Sequence, residues 1–518
     1  LPDFDVYIAK NGQTYRYLAN NANFESYIKI VKVDAETGKV IPYAGAGFQL
    51  YRPDGSLITQ TFTYPEVTTI DTFYTNDEGT LITPEKLEYG SGYSLVEVFA
   101  PYGYTLNSEP VYFDVTQDAS TDEDGVTVIE VIKPNMAQKG VIKISKSGEV
   151  FSSVTEADGL YQPVFSVQGL PGAVYEITAA EDIITPDGTT RYSKGEIVDT
   201  VTTDETGLAE SKPLYLGKYE IREIKAPYGM VLNTEIRTAE LVYAGQEIEI
   251  TETSASFYNE RQKAAVSLEK VLEQNKTFGI GMNGEISAVT FGLFAAEDLT
   301  AADGSVIPAD GLLEILSVDE NGHAVCKTDL PFGGFYLKEL STDEHYILSN
   351  EKHPIVFEYA GQDAALVEIK ANDGKPIDND LIYGAIHGLK TDEDGNALGG
   401  AVIGLFKADC TEFTRENAIL TATSAEDGGL SFAGVPYGNW IVREIEAPTG
   451  FVLSDETFAV TVDKDDAVIE VEIENTLIRG TVQLTKVDKD YPDNKLTGAE
   501  FAVYRDSNGN KEHDADDE

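Results

Sequence analysis

The chain has 518 residues, with 89 Asp and Glu against 38 Lys and Arg, and a formal charge of −51. Such a charge repels nucleic acids and anionic membranes, so neither is expected as a partner. A hydrophobic content of 42% supports folded cores and argues against a disordered acidic tail. The length predicts several domains, because single cores rarely exceed roughly 250–300 residues. Two Cys cannot build a disulfide framework, and no apolar run approaches the ~20 residues of a membrane helix.

Two sequence strings recur in chain order at domain-sized intervals. The first string opens a segment with alternating apolar residues followed by a Lys, as in "YIKIVKVD" at 27–34. The second string lies later in each segment and carries a Glu, as in "YSLVEVFAPYGYTL" at 93–106. A fixed repeat of this size is the signature of a tandem domain array. The opening Lys residues are Lys32, Lys146, Lys270, Lys390 and Lys486.

The repeats predict four complete domains, which we call units 1 to 4. Their predicted limits are 22–137, 138–261, 262–381 and 382–477. Residues 1–21 match the last hairpin of an upstream domain, and residues 478–518 match the start of a truncated fifth domain. We therefore expect the sequence to be a segment of a longer tandem array.

The predicted secondary structure is almost entirely β. Runs of Val, Ile, Tyr, Phe and Thr recur every 8–12 residues, and turn sequences such as "PDG" and "DEG" separate them. No amphipathic helical periodicity is evident over eleven or more residues. The pattern predicts an all-β protein, a tandem array of immunoglobulin-like β-sandwich domains.

Three kinds of polar residue fall on strand faces that should be buried. Period-two alternation places Lys32 on the same face as Ile30, and Glu97 on the same face as Leu95. An Asn stands eleven positions before each opening Lys, where it closes the preceding unit. The resulting sets are Lys32, Glu97 and Asn135; Lys146, Glu223 and Asn259; Lys270, Glu339 and Asn379; and Lys390, Glu444 and Asn475.

The residues alone leave two interpretations of these sets open. In the first, Lys and Glu form a buried salt bridge that Asn supports, although buried ion pairs are rarely net stabilising. In the second, burial favours a neutral Lys amine beside a neutral Glu acid. The amine then attacks the Asn side-chain amide and the acid shuttles protons to the departing ammonia, which forms a Lys–Asn isopeptide bond.

The sequence resembles a known family of surface-protein modules. The strings "YAGAGFQLY" at 43–51, "GAVIGLFKAD" at 400–409 and "LTGAEFAVY" at 496–504, together with the "E…APYGY" string, are similar to those of Cna B-type domains. These are the prealbumin-like modules of SpaA-type pilins and adhesins of Gram-positive bacteria. The resemblance implies a prealbumin-like sandwich in each unit. It also implies Lys–Asn cross-links that the Glu residues named above promote.

Unit 3 departs from the pattern in two respects. It lacks the "AP-x-G" sequence that follows Glu in the other units. In addition, Asn372 aligns better by strand length than Asn379, so both are candidate partners of Lys270.

Other motifs do not indicate a cofactor or a metal. The string "GIGMNG" at 279–284 lacks the strand–helix context of a dinucleotide site, so we interpret it as a loop. Residues 506–518 begin like a calcium loop, but Lys511 occupies the position that normally holds Gly, which favours a solvated acidic loop. The five His residues show no metal-ligand spacing.

The resemblance implies a non-enzymatic, extracellular protein. We expect a rigid stalk that presents an adhesive region and is attached to the cell wall through a C-terminal anchor outside this sequence. Alternatively, the repeats themselves bind a host extracellular protein or glycan, or form a pilin subunit. Such binding would need an exposed aromatic or apolar patch, for which the 28 Tyr supply candidates.

Overall fold

The computed structural model describes residues 5–14, 16, 23–121, 127–506, 509 and 511–513. Within these residues the helical elements are two short 3-10 helices, Glu285–Ala288 and Ala371–Gly374. All other regular structure is β, which confirms the predicted fold class. No helix in the described part of the chain is long and apolar enough to cross a membrane.

Among the described residues, units 1 and 2 each contain eleven strands. In unit 1 they are β1 (Glu25–Asp34), β2 (Gly47–Tyr51), β3 (Gln60–Phe62), β4 (Thr68–Ile70), β5 (Phe73–Tyr74), β6 (Thr80–Ile82), β7 (Leu87–Glu88), β8 (Gly90–Phe99), β9 (Val111–Val115), β10 (Ser120–Thr121) and β11 (Thr127–Asn135). In unit 2 they are β12 (Lys139–Ala157), β13 (Leu160–Gly169), β14 (Val174–Ala179), β15 (Ile183–Ile184), β16 (Thr190–Tyr192), β17 (Ile197–Thr202), β18 (Leu208–Glu210), β19 (Leu214–Tyr215), β20 (Gly217–Lys225), β21 (Ile236–Leu241) and β22 (Ile250–Asn259).

Units 3 and 4, which lie wholly within the described ranges, contain ten and seven strands. In unit 3 they are β23 (Lys263–Leu272), β24 (Thr290–Ala295), β25 (Leu299–Thr300), β26 (Val306–Ile307), β27 (Leu312–Ser317), β28 (His323–Val325), β29 (Gly333–Ser341), β30 (Lys352–Phe357), β31 (Leu366–Lys370) and β32 (Ile377–Asn379). In unit 4 they are β33 (Tyr383–Asp392), β34 (Val402–Lys407), β35 (Leu420–Thr423), β36 (Gly429–Pro436), β37 (Gly438–Glu446), β38 (Thr457–Val462) and β39 (Ala467–Asn475).

Each unit has two main sheets with one topology. One sheet pairs the first strand of the unit with its last strands in parallel, as β1 with β11 and β33 with β39. The other sheet has four antiparallel strands, in the order β5-β2-β8-β9 in unit 1. In the described residues, every ladder between named strands joins two strands of the same unit. The first and last strands of a unit are therefore direct neighbours although about a hundred residues separate them.

Apolar side chains fill the space between the two sheets of each unit. The cores of units 1 and 2 are separate clusters of buried residues, whereas those of units 3 and 4 form one continuous cluster. The contact between the last two units includes Phe278 and Trp440, whose ring centroids are 5.0 Å apart. Burial of the strands' alternate faces follows from the hydrophobic effect and gives each sheet one dry side.

The two ends of the chain are only partly described. Residues 5–14 form no strand, and the rest of the predicted hairpin at 1–21, including Asn21, lies mostly outside the described residues. The predicted start of another domain at 478–506 is exposed and carries a bridge between Val487 and Lys495. Most of the predicted acidic loop at 506–518 also lies outside the described residues. These end predictions therefore stay predictions.

Candidate cross-linking site

The strand register brings each Lys beside an Asn. The Lys lies on the first strand, and the Asn ends the last strand of its unit. In all four units, the Asn pairs with the residue two positions after the Lys, so both side chains project from the same sheet face. The pairs are Asp34 with Asn135, Gly148 with Asn259, Leu272 with Asn379, and Asp392 with Asn475.

The Glu of each set reaches the same point from the opposite sheet. In unit 1 it lies on β8, where Glu97 pairs with Phe48 beside a bulge in the ladder. The corresponding bulge recurs beside the Glu in the other three units. A β-bulge re-aims the side chains next to it, and here it accompanies a carboxyl group that points into the core.

All twelve residues of the four sets are buried, with 3% or less of their surface exposed. The sequence prediction placed these polar side chains on inward strand faces, and the structure places them there. The aliphatic part of a Lys side chain is compatible with a core, but its ammonium group is costly to bury without a partner.

In three units the amine contacts the Asn side chain directly. Lys270 Nζ lies 2.7 Å from Asn379 Oδ1. Lys32 and Lys146 make the same contact with Asn135 and Asn259. A single hydrogen-bond distance therefore separates the Lys amine from the Asn amide group in these units.

Unit 4 has a different local arrangement. Lys390 Nζ donates to the carbonyl oxygen of Ile473 at 3.0 Å. Asn475 Nδ2 donates to Glu444 Oε2 at 2.6 Å, while Asn475 Oδ1 has no hydrogen-bond partner in the described structure. The amine, the amide and the carboxyl group are together, but the amide oxygen is not bonded to the amine.

Each Glu carboxyl group lies between the Lys amine and a backbone donor. The Lys Nζ to Glu Oε1 distances are 3.4, 3.3, 3.9 and 3.9 Å in units 1 to 4. The other oxygen accepts the backbone N–H of the residue ten positions later, as Glu97 Oε2 does from Asn107 at 3.0 Å. The equivalent donors in units 2 to 4 are Asn233, Ser349 and Ser454, at 2.8, 2.9 and 2.8 Å.

The Asn amide nitrogen also contacts this carboxyl group in units 2, 3 and 4. Asn259 Nδ2 lies 3.0 and 2.9 Å from the two oxygens of Glu223. In unit 1, Asn135 Nδ2 donates to the carbonyl oxygen of Thr105 at 2.9 Å. The Asn135 side chain also interacts with Glu97, where it opposes the rise in the pKa of that carboxyl group that burial causes. A carboxyl group beside the amide nitrogen can transfer a proton to it as the nitrogen departs.

Burial shifts the pKa of the amines toward neutrality. Desolvation lowers the pKa of Lys32 and of Lys270 to about 8, against the attraction of the nearby carboxylates. It also lowers the pKa of Lys146 and of Lys390. Desolvation raises the pKa of Glu97, despite the opposing effect of Lys32. In unit 1 these directions favour a neutral amine beside a neutral acid, which is the state in which Lys is nucleophilic.

In unit 3 the structure brings Asn379, and not Asn372, to Lys270. Asn372 lies in the second 3-10 helix with a φ of 53°. Its side chain donates to the carbonyl oxygens of Lys375 and Pro376, both at 3.3 Å. Strand length pointed to Asn372 because β31 ends early and the chain resumes pairing with β23 only at β32.

Sequence reasoning missed a second buried Lys in unit 1. Lys133 is 1% exposed, and its Nζ donates to the carbonyl oxygen of Glu109 at 2.5 Å. Desolvation lowers the pKa of Lys133 as well. The signal was present, because Val131, Lys133 and Asn135 alternate on one face of β11.

The glycine-rich motif at 279–284 lies within the described structure, whereas most of the acidic string at 506–518 lies outside it. The "GIGMNG" string at 279–284 lies in turns and bends between β23 and the first 3-10 helix. Among the described residues, no group of three or more His, Cys, Asp or Glu is placed to hold a metal ion. Lys486 is exposed.

Comparison with known proteins identifies the family. A family model described as the SpaA prealbumin-like fold domain matches residues 26–128, 166–255 and 384–477, more than half of the chain. The chain belongs to the SpaA prealbumin-like family. This result confirms the resemblance noted in the sequence, and the matches fall in units 1, 2 and 4 of this SpaA-like chain.

Individual relatives share part of the sequence or the fold. The trypsin-resistant surface T6 protein of Streptococcus pyogenes is 36% identical over 81 residues, which are 15% of each chain. The SpaA-like chain thus spans 15% of the length of that curated relative. The Bacillus anthracis TIE protein is 16% identical with a TM-score of 0.49, covering 89% of this chain and 76% of that one. BcpA, the major pilin subunit of Bacillus cereus, is 16% identical with a TM-score of 0.30, and the match covers 66% of this chain and 100% of BcpA.

Proposed function

We propose that the chain is the stalk of a Gram-positive surface protein, in which each of four domains is closed by an intramolecular Lys–Asn isopeptide bond. The domains are units 1 to 4, with the limits 22–137, 138–261, 262–381 and 382–477. The stalk is extracellular, belongs to a protein attached to the cell wall, and holds an adhesive region away from the surface. The supporting observation is the fourfold repetition of a buried Lys, Glu and Asn at one strand register.

The proposed reaction in unit 1 needs only the residues of the set. The neutral Nζ of Lys32 attacks Cγ of Asn135, and a C–N bond forms. The bond between Cγ and Nδ2 of Asn135 breaks, and the nitrogen leaves as ammonia. Glu97 transfers one proton from the attacking amine to the departing nitrogen, so it is unchanged at the end. Each unit reacts once, so the process is a maturation step and the protein is not an enzyme.

A buried ion pair is the competing explanation for the same residues. It would keep Lys32 and Glu97 charged, whereas burial lowers the pKa of the first and raises that of the second. It would also not require an Asn beside the amine in the same register of every unit. The isopeptide explanation accounts for both features.

The strand arrangement gives the bond a mechanical role. Because the first and last strands are parallel neighbours, tension enters a unit at one end of this strand pair and leaves at the other. A bond between Lys32 and Asn135 would carry that tension past the rest of the unit. A disulfide closing a loop of this size stabilises a fold by on the order of 4–5 kcal/mol, and the isopeptide bond should contribute a similar amount.

The intact mass of the purified protein tests the proposal. Each bond releases one ammonia and lowers the mass by about 17 Da. We expect four such losses, and one fewer in each of the variants Glu97→Ala, Glu223→Ala, Glu339→Ala and Glu444→Ala. The exposed Glu130 on β11 provides a control, because Glu130→Ala should keep all four bonds. An unchanged mass in the wild-type protein would leave buried ion pairs as the explanation and contradict the stalk mechanism.

A further inference from the structure

A four-residue loop recurs at two of the contacts between units. The sequence Tyr-Ala-Gly-Gln stands at 243–246 in unit 2 and again at 359–362 in unit 3. Each copy follows the last strand of the four-stranded sheet of its unit, which is β21 in unit 2 and β30 in unit 3. Each copy also contacts the preceding unit, at the segment that follows the Glu of that unit's set.

In the first contact, Gln246 makes three hydrogen bonds to unit 1, of which the longest runs from its side-chain Nε2 to the carbonyl oxygen of Val98 at 3.4 Å. Its side-chain Oε1 accepts the backbone N–H of Ala100 at 2.8 Å. Its backbone oxygen accepts the N–H of Leu106 at 3.0 Å. The rings of Tyr102 and Tyr243 pack beside these bonds with centroids 4.6 Å apart.

The second contact repeats the first in the same positions. The side-chain Oε1 of Gln362 accepts the backbone N–H of Ala226 at 3.0 Å. The backbone oxygen of Gln362 accepts the N–H of Leu232 at 2.8 Å. The rings of Tyr228 and Tyr359 lie 4.9 Å apart. The same loop therefore makes the same three contacts at both junctions.

The segment held in this way is the one that supports the Glu. Ala100 comes three residues after Glu97, and Leu106 directly precedes Asn107, whose N–H donates to the Glu97 carboxyl group. Between them, the carbonyl oxygen of Thr105 accepts the amide of Asn135. Gln246 of unit 2 thus fixes both ends of the segment that orients the carboxyl group and the amide of unit 1.

Within the described residues, units 3 and 4 lack this support. Leu348 and Leu453, which stand where Leu106 stands in unit 1, are 43% and 50% exposed. After β38, unit 4 has Asp463-Lys464-Asp465-Asp466 in place of the Tyr-Ala-Gly-Gln loop. The Lys to Glu distance is 3.4 and 3.3 Å in the two supported units, and 3.9 Å in both unsupported ones.

We propose that Gln246 and Gln362 are positioning residues for the cross-links of the units before them. By holding the segment after the Glu, each brings the carboxyl group of the preceding unit to its Lys and Asn. Units 1 and 2 then mature only after the next unit has folded and docked, whereas units 3 and 4 mature without such help. This inference rests on the proposed cross-linking function.

Refolding of the full chain from an unfolded, uncross-linked state provides the test. Samples taken over time are digested, and the cross-linked peptide of each unit is quantified by mass spectrometry. The variants are Gln246→Leu, which removes the acceptor for Ala100, Gln246→Glu, which retains it, and Gln362→Leu. Because misplacement of a reacting group by about 1 Å can cost roughly a hundredfold in rate, we expect Gln246→Leu to slow unit 1 by about ten- to a hundredfold.

The four units of one molecule act as controls for one another. We expect Gln246→Leu to leave the rates of units 2, 3 and 4 unchanged, and Gln362→Leu to slow unit 2 alone. We expect Gln246→Glu to restore unit 1 to within about threefold of the wild-type rate, because the acceptor for Ala100 is kept and, of the bonds to unit 1, only the long one to Val98 is lost. A role limited to packing would not be restored by this charged substitution.

Three results would overturn the inference. They are a wild-type rate for unit 1 in Gln246→Leu, equal slowing by Gln246→Leu and Gln246→Glu, and slowing of all units together. In each case cross-linked wild-type peptides would still support the proposed function. If no unit of the wild-type chain forms a cross-link, the proposed function fails and this inference fails with it.

Discussion

The ε-amine of Lys32 lies in an environment that favours its neutral form. The side chain is fully buried, and desolvation outweighs the attraction of Glu97. A neutral amine is a nucleophile, and the nearest electrophilic carbon is that of the Asn135 side chain. At the residue scale, therefore, burial of the three polar groups together is what makes the proposed reaction feasible.

The lowered pKa of Lys32 predicts how the cross-linking rate of unit 1 depends on pH. The Lys32 amine must be deprotonated to attack, so the reactive fraction of Lys32 rises with pH and levels off above about 8. Glu97 must be protonated, and desolvation raises its pKa, which extends its acid form toward the pH range in which Lys32 loses its proton. We expect the rate to rise with pH below about 8, by up to about tenfold per pH unit while Glu97 keeps its proton, as measured by refolding and peptide quantification.

Circular dichroism at each pH would show that the fold forms equally well across this range. A rate that is highest at the lowest pH tested would contradict a neutral-amine mechanism, because protonated Lys32 would then be the reactive species.

Unit 3 offers a matched test of which Asn reacts. Asn379→Ala should abolish the cross-link to Lys270, since Asn379 Oδ1 lies 2.7 Å from the amine. Asn372→Ala should leave it intact, because Asn372 contacts the backbone of Lys375 and Pro376. Intact mass separates the two variants by one ammonia loss. The reverse pattern would show that the register of β32 differs in solution.

At the element scale, the backbone oxygen of a glycine in a turn accepts the backbone N–H of the Lys in each set. In unit 3, the backbone oxygen of Gly322 accepts the N–H of Lys270 at 2.6 Å. Gly322 has a φ of 86°, and a Cβ added there would lie 2.2 Å from the carbonyl oxygen of Lys270. A Cβ added at Gly207 would likewise lie 2.4 Å from the carbonyl oxygen of Lys146, and one added at Gly428 would lie 2.4 Å from that of Lys390.

Gly322→Ala should therefore destabilise unit 3 more than an ordinary substitution at positive φ. Gly304 is a matched control, because it also has a φ of 86° but a Cβ added there would meet open space. We expect Gly304→Ala to cost about 1–2 kcal/mol of unfolding free energy, and Gly322→Ala clearly more, because it adds a backbone clash. Denaturant unfolding measures both. Equal losses would mean that the turn moves aside without affecting Lys270.

At the scale of the whole molecule, the order of the units along the chain determines the path of tension. Each unit is entered by its first strand and left by its last, and those strands are parallel neighbours. If each pair is covalently joined, the chain can extend under load only through the segments outside the bonds. The result would be a stalk whose length changes little under force.

Removal of one bond should add one extension step. Lys390→Met keeps the volume of the side chain but removes the nucleophile, so unit 4 can unravel when the chain is pulled. Unit 4 has about 90 residues, so the released length should be roughly 300 Å in single-molecule force measurements. The wild-type chain and the variant Lys407→Ala, which alters an exposed residue of β34, should show no such step from unit 4. An equal step in all three would contradict the covalent path.

The sequence by itself determined the fold class, the family and the identity of the buried polar residues. Period-two alternation is a local property of a strand, so it identifies Lys32, Glu97 and Asn135 as inward-facing without any tertiary information. The same rule would have found Lys133. The repetition of the pattern along the chain distinguished these residues from ordinary surface charges.

Only the tertiary structure decided which of these groups meet. The pairing of Asn379 with Lys270 depends on the break between β31 and β32, and the support from Gln246 depends on how unit 2 docks on unit 1. Both are contacts between residues about a hundred or more positions apart. Strand register and domain docking are set by the packing of whole faces, and a short stretch of sequence does not encode them.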